Sequence, residues 1–194
     1  MILGITGGTG SGKTTLLQLI EANGGVIFDC DAIYHQLLRD DKELLSAIDT
    51  RFPGTVTGGQ LDRKKLGEQV FPDPQALQEL NNITHGAVKR EVLRILESKP
   101  QLAAIDAIAL FESGLDTLCD ITVAVTAPQE QRIQRLIARD GISYEYAQKR
   151  IAAQHTNDWY REKCTYTLEN NGELDAFRAK CIAFLQRLGI MKAE

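Results

Sequence analysis

Residues 7–15 read GGTGSGKTT, directly after an apolar stretch and directly before a pattern with Leu16, Leu17 and Ile20 on one helical face. Glycines at 7, 8, 10 and 12 add nothing to a core and weaken a helix, but they let successive backbone N–H groups converge on one anion. Gly7, Gly12, Lys13 and Thr14 match G-x-x-x-x-G-K-[ST], the pattern of a phosphate-binding P-loop. Such a loop commits the chain to a strand, a tight turn and a helix whose positive end meets the same anion. Gly8, Gly10, Ser11, Gly12, Lys13, Thr14 and Thr15 are therefore expected to bind a nucleoside triphosphate. Lys13 supplies a mobile charge for the β and γ phosphates, and the Thr14 hydroxyl is placed to ligate Mg²⁺.

Apolar runs of strand length recur at 2–5, 26–28, 102–105, 121–125 and, more weakly, 165–168, with helical patterns between them. That alternation predicts an α/β fold: a five-stranded parallel sheet flanked by helices. Between the second and third runs, residues 31–100 form a long insertion whose pattern is helical, with turn signals at Pro53-Gly54, Gly58-Gly59 and Pro72-Asp73-Pro74. Asp62 reads as an N-cap, and EVLRILE places Val92, Leu93 and Leu96 on one face. A second excursion, 132–163, is rich in arginine and follows the strand ITVAV. The segment FRAKCIAFLQRL reads as a closing amphipathic helix for the core.

At 194 residues the chain fits one domain, here divided into a core (1–30, 101–131 and 164–194), a helical region 31–100 and a region 132–163. No apolar run approaches the roughly 20 residues needed to cross a bilayer, so no membrane partner is expected. A formal net charge of −4 gives no global attraction for nucleic acid, and a phosphate ligand must be held locally. The start carries no basic region followed by a long apolar stretch, so export is not expected. Cys30, Cys119, Cys164 and Cys181 show neither CxxC pairing nor zinc spacing, as in a cytoplasmic protein with reduced thiols.

The second strand runs into FDCDAIYHQLL, which puts Asp29 and Asp31 at the carboxyl end of a parallel strand, where α/β proteins place their sites. Asp31 can be an N-cap, or it can orient and deprotonate an acceptor hydroxyl. Asp106 ends the apolar LAAID and has the form of a carboxylate that holds Mg²⁺ through water, although strands also end in Asp for solubility. Arginines at 132, 135 and 139 share one helical face; by charge pattern alone they read as a solvated face paired with its own acids. No NKxD guanine-reading motif occurs, which argues against a switch GTPase. The residues alone leave open a small-molecule kinase or a non-catalytic nucleotide-binding module.

The ordered set TGGTGSGKTT, VIFDCDAI, GGQLDRKKLGEQVF, LNNITHGAV, AIDAIALFESGL, TVAVTAPQEQRIQRLIARDG and RIAAQ resembles the dephospho-coenzyme A kinases over nearly the whole chain. The resemblance implies a P-loop nucleoside triphosphate hydrolase/kinase fold and transfer of the ATP γ-phosphate to the ribose 3′-hydroxyl of dephospho-coenzyme A, with Mg²⁺. It implies that 31–100 binds the acceptor and that 132–163 is a helical lid. Carried over to these positions, Asp31 is the base, and Arg63 and His85 lie in or near the acceptor site. Arg135 and Arg139 on the lid join Lys13 near the transferring phosphoryl group. The chain departs from the family pattern at Gly86 and in the proline-free DAIALFE, where the family usually carries proline. Alternatives are a kinase of the same fold acting on a nucleoside or nucleotide, or a nucleotide-binding module without catalysis.

Overall fold

The structure is a computed structural model and describes residues 1–192. Its elements in chain order are β1 (Ile2–Thr6), α1 (Lys13–Ala22), β2 (Val26–Asp29), α2 (Cys30–Asp40), α3 (Lys42–Arg51), β3 (Val56–Thr57), β4 (Gln60–Leu61), α4 (Arg63–Val70) and α5 (Pro74–Leu96). Then follow β5 (Ala103–Asp106), a 3₁₀ turn at Leu115–Leu118, β6 (Ile121–Thr126), α6 (Gln129–Asp140), α7 (Tyr144–Ala152), α8 (Asn157–Lys163), β7 (Tyr166–Glu169) and α9 (Leu174–Arg187). All five expected strands form, each within a residue or two of the apolar run that announced it.

The main sheet has the order β2-β5-β1-β6-β7, with β1 central. β1 runs parallel to β5 and β6, and β6 parallel to β7. Leu3, Ile5, Ala104, Val123 and Val125 are buried along these strands and pack with Leu16 and Ile20 of α1 and with Phe177, Cys181 and Leu185 of α9. Ala103, Ile105 and Ala124, which alternate to the opposite face, are buried as well, and burial on both faces is why the strands read as unbroken apolar runs. The closing helix assigned to core packing does that work.

The chain divides into two compact units. One comprises Met1–Phe28, Pro100–Phe111 and the chain from Leu115 onward; the other comprises Asp29–Lys99 with Glu112–Gly114. Residues 132–163 thus fold with the sheet, where Ile133 and Leu136 of α6 pack against Ala147 and Ile151 of α7.

The second unit is helical, as the insertion pattern required, apart from one hairpin. β3 and β4 pair antiparallel across Gly58-Gly59, whose φ values of 60° and 78° suit the tight hairpin turn that needs two left-handed residues. Each helix here begins on an aspartate cap: Asp29 for α2, Asp41 for α3, Asp62 for α4 and Asp73 for α5. Asp62 is the expected cap, accepting from the amides of Lys64 and Lys65. Leu38, Leu44, Ile48, Phe52, Leu66, Val70 and Leu80 form the core of this unit.

One local expectation is corrected. The buried face of α5 runs through Ala76, Leu80, Thr84, Ala87, Val88 and Val92, so Val92 is internal but Leu93 is 44% exposed. The register of so long a helix is set by its upstream turns, which a short window at its end does not sense. The ITH segment also lies inside α5; Gly86, unlike proline, keeps the amide that an uninterrupted helix needs.

Candidate active site

The loop between β1 and α1 is a cradle of main-chain groups. Ser11 N donates to Gly8 O at 3.2 Å and Thr15 N to Gly12 O at 3.1 Å, closing successive tight turns. Gly12 precedes α1 with φ 101°, a conformation that side chains resist, and a Cβ there would collide with the Asn170 amide. In contrast to the aspartate-capped helices, α1 has no side-chain cap, which suits a helix start that meets an anion. Lys13 Nζ donates to Gly7 O at 3.0 Å, folding the side chain back over the loop. Thr14 is exposed in the first turn of α1, and Ser11 Oγ is buried without a hydrogen-bond partner among the described residues.

Side chains from remote parts of the chain brace this loop. Arg135 of α6 donates from Nη1 to Gly10 O at 3.2 Å and to Ser11 O at 3.4 Å. Its Nη2 reaches Asn170 Oδ1 at 3.2 Å, while Asn170 Nδ2 donates to Ser11 O at 2.9 Å. Asn170 is buried just after β7 and is fixed by its own N–H to Thr126 O at 2.7 Å. Burial lowers the pKa of Arg135. Arg132 touches the loop as well, through Thr9 O at 2.8 Å.

The arginine run therefore divides. Arg132 and Arg135 are engaged with the phosphate loop, against the solvated-face reading. Arg139 fits that reading, because its Nε and Nη2 donate to Asp140 at 2.7 and 3.0 Å and Arg150 shares the same carboxylate. The two guanidinium groups hold the Asp140 carboxyl at a pKa of about 2.

Asp106 occupies the last position of β5, aligned with Ile5 of β1 one residue before that strand ends. Thr14 and Asp106 offer hard oxygen donors, and no cluster of three or more acidic, His or Cys side chains that could hold a metal occurs among the described residues. That donor set fits Mg²⁺, which keeps several waters and takes few protein ligands beside the phosphates.

In the second unit, Asp29 rather than Asp31 caps α2, accepting from Ala32 N at 2.9 Å. Asp31 is thereby left exposed in the first turn, with no hydrogen bond among the described residues. One turn later Tyr34 lines a cavity of about 260 Å³ with Arg63 and Asn81 at its polar side and Leu38, Leu66, Leu77 and Leu80 as apolar wall. Burial raises the Tyr34 hydroxyl pKa, opposed in part by the charge of Arg63, which lines the same cavity.

His85 is half-buried in the middle of α5. Burial lowers its pKa, while a hydrogen bond to the Glu112 main chain and the Glu112 charge act the other way. Lys89, one turn on, donates to Gly114 O at 2.7 Å. His85 and Lys89 thus hold the Glu112–Gly114 segment onto α5.

The sequence pattern of the dephospho-CoA kinase family matches residues 1–176. The chain belongs to the dephospho-CoA kinase family. It is 33% identical to the dephospho-CoA kinase of Syntrophotalea carbinolica, covering 97% of this chain and 92% of that protein. The dephospho-CoA kinase of Deinococcus radiodurans is 36% identical, with 97% and 92% covered. A crystal structure from Thermus thermophilus superposes with a TM-score of 0.80 at 35% identity, covering 97% of both chains. The dephospho-CoA kinase of Campylobacter jejuni gives 0.69 at 26% identity and 98% of both chains. A shikimate kinase from Acinetobacter baumannii, with a TM-score of 0.54 at 20% identity and 100% and 95% of the two chains covered, shares the P-loop kinase fold alone.

Within this family member, sequence reasoning passed over three residues that the structure puts to use. Tyr34 sits in the FDCDAIYHQLL segment but carries no signal that distinguishes it from core. Asn170 lies in an ENNG turn, which reads only as a turn. Gln154 ends RIAAQ, which carried resemblance without a role.

Proposed function

We propose that the chain transfers the γ-phosphate of ATP to the ribose 3′-hydroxyl of dephospho-coenzyme A with Mg²⁺, the reaction named for its family. The observation that carries this reading is a P-loop braced by Arg135 and Asn170 in a chain matched by the family over residues 1–176.

Gly8, Gly10, Ser11, Gly12, Lys13, Thr14 and Thr15 surround the polyphosphate, the Ser11 and Thr15 amides serving to shape the loop through Gly8 O and Gly12 O, and Lys13 swings from Gly7 O to the β and γ oxygens. Thr14 and, through water, Asp106 would hold Mg²⁺, which would supply positive charge to neutralise the phosphates. Asp31 accepts a hydrogen bond from the 3′-hydroxyl, aligns the oxygen and takes its proton as the new P–O bond forms; the β–γ bridging bond breaks and ADP leaves. A loose transition state asks more for alignment than for basicity, and a carboxylate hydrogen-bonded to the hydroxyl supplies alignment. Arg135 and Arg139 stabilise charge on the transferring group, with Arg139 first exchanging Asp140 for phosphate. Arg63 and the cavity beside Tyr34 hold part of the acceptor, and His85 shapes that side by fixing Glu112–Gly114. Free thiols and the lack of any helix long and apolar enough to cross a membrane, among the described residues, support a cytoplasmic setting.

The decisive assay couples ADP release to ATP and compares dephospho-coenzyme A with nucleosides and nucleoside monophosphates. Dephospho-coenzyme A is expected to be the preferred acceptor, with product phosphorylated at the 3′ position. Rapid turnover of another acceptor and none of dephospho-coenzyme A would sink the proposal.

A further inference from the structure

Arg132 is a cation 3% exposed, lying directly under the phosphate loop. Its Nε donates to Thr9 O at 2.8 Å and its Nη2 to Gln154 Oε1 at 3.0 Å. The same Oε1 accepts from Thr9 N at 2.8 Å. Both polar groups of the Thr9 main chain are therefore captured by one closed three-residue cluster, within the turn that carries the phosphate-binding amides. The neighbouring glycines are fitted to it: a Cβ on Gly8 would overlap the Arg132 guanidinium, and one on Gly10 would lie 2.9 Å from Arg132 O.

The charge of Arg132 is not neutralised by the protein. Arg139 and Arg150 share Asp140, and Arg161 binds Asp158 and Glu169. No carboxylate is paired with Arg132 among the described residues; the groups that face it are Thr9, Gln154 and, as a weak electrostatic neighbour, Tyr160. Burial accordingly pushes its pKa down, although a guanidinium stays protonated. A buried charge without a counter-ion is costly in any fold, and it is tolerated where a ligand supplies the missing charge.

We propose that Arg132 and Gln154 form a nucleotide-positioning pair, in which Gln154 holds the Thr9 peptide in place and Arg132 keeps a buried positive charge under the loop whose counter-ion is the polyphosphate of the nucleotide. The neutral amide at 154 is the specific choice that makes this work. It satisfies Thr9 N and Arg132 at once without cancelling the charge that the phosphates meet. The inference rests on the reading that this loop holds the ATP polyphosphate, and it adds a charge that the P-loop motif does not contain.

Gln154→Glu is the discriminating variant. The replacement is isosteric, keeps an oxygen for Thr9 N and Arg132, and adds the absent carboxylate; Gln154 Nε2 donates no hydrogen bond among the described residues. The expected result by calorimetry is a folded protein with an undiminished melting temperature and an ATP affinity lowered roughly tenfold, with ADP less affected and adenosine unaffected. A merely structural pair would raise or keep the melting temperature and leave ATP affinity unchanged, and that outcome overturns the proposal. Arg132→Lys is expected to retain much of the ATP affinity that Arg132→Met loses; equal losses in the two would also overturn it. Wild-type protein that binds no ATP would refute the nucleotide reading itself, whereas normal wild-type binding with an indifferent Gln154→Glu variant refutes only the role of the pair.

Discussion

Asp31 is available for chemistry because Asp29 does the capping. Two aspartates separated by one residue are indistinguishable as caps in sequence, and the backbone angles at the end of β2 decide between them. Asp31→Asn is expected to leave ATP affinity intact and to reduce phosphoryl transfer on the order of 10²-fold, measured as kcat in the coupled assay. Unchanged transfer would remove Asp31 from the mechanism. His85 makes a different kind of prediction. Its folded-state pKa lies below the ordinary 6.5, so the neutral ring is the stabilising form. Its contribution is complete above pH 6.5 and is lost as pH falls through the folded-state value. The urea midpoint of the wild type should therefore decline more steeply below pH 6.5 than that of His85→Gln; parallel curves would show that His85 does not titrate with folding.

At the level of elements, capping and burial made the secondary structure legible. Strands buried on both faces have no polar positions to interrupt them, so ITVAV announced β6 almost to its ends. Asp62 announced a helix start because orphan amides must find acceptors, whereas Pro72-Asp73-Pro74 read only as a turn and proved to hold the Asp73 cap of α5 as well. Long α5 was harder, since its buried stripe drifts around the axis and a seven-residue window at the end misplaced Leu93. Gly86 sits in its interior with helical backbone, and a Cβ there meets nothing nearer than Arg90 Nη1 at 3.7 Å. Gly86→Ala should therefore stabilise the protein by about 0.5–1 kcal/mol, read as a higher denaturant midpoint with an unchanged slope. A loss of stability would mean that this turn of α5 uses the freedom of glycine. The arginine-bearing face of α6 shows the opposite limit: its three guanidinium groups look equivalent in sequence, yet two reach the phosphate loop and one is taken by Asp140.

For the molecule as a whole, the cysteines report on packing. Burial pushes Cys119 up to about 12 and Cys164 and Cys181 to about 11, and Cys30 is buried. A disulfide reagent at pH 8 should then react slowly with the native protein and with all four thiols once it is unfolded. A rapidly titrating native thiol would contradict this packing. The same global assembly limits what sequence can tell about the site. Local chemistry determined the P-loop, the parallel sheet, the helical insertion and, through ordered motifs, the family, because each depends on residues a few positions apart whose spacing is fixed by strand or helix geometry. Tertiary structure alone decided that Asn170, Arg132 and Gln154 hold a loop more than a hundred residues away in the chain, and that His85 holds Glu112–Gly114. Those contacts depend on which distant polar groups burial brings within hydrogen-bonding reach, and no local pattern encodes that distance.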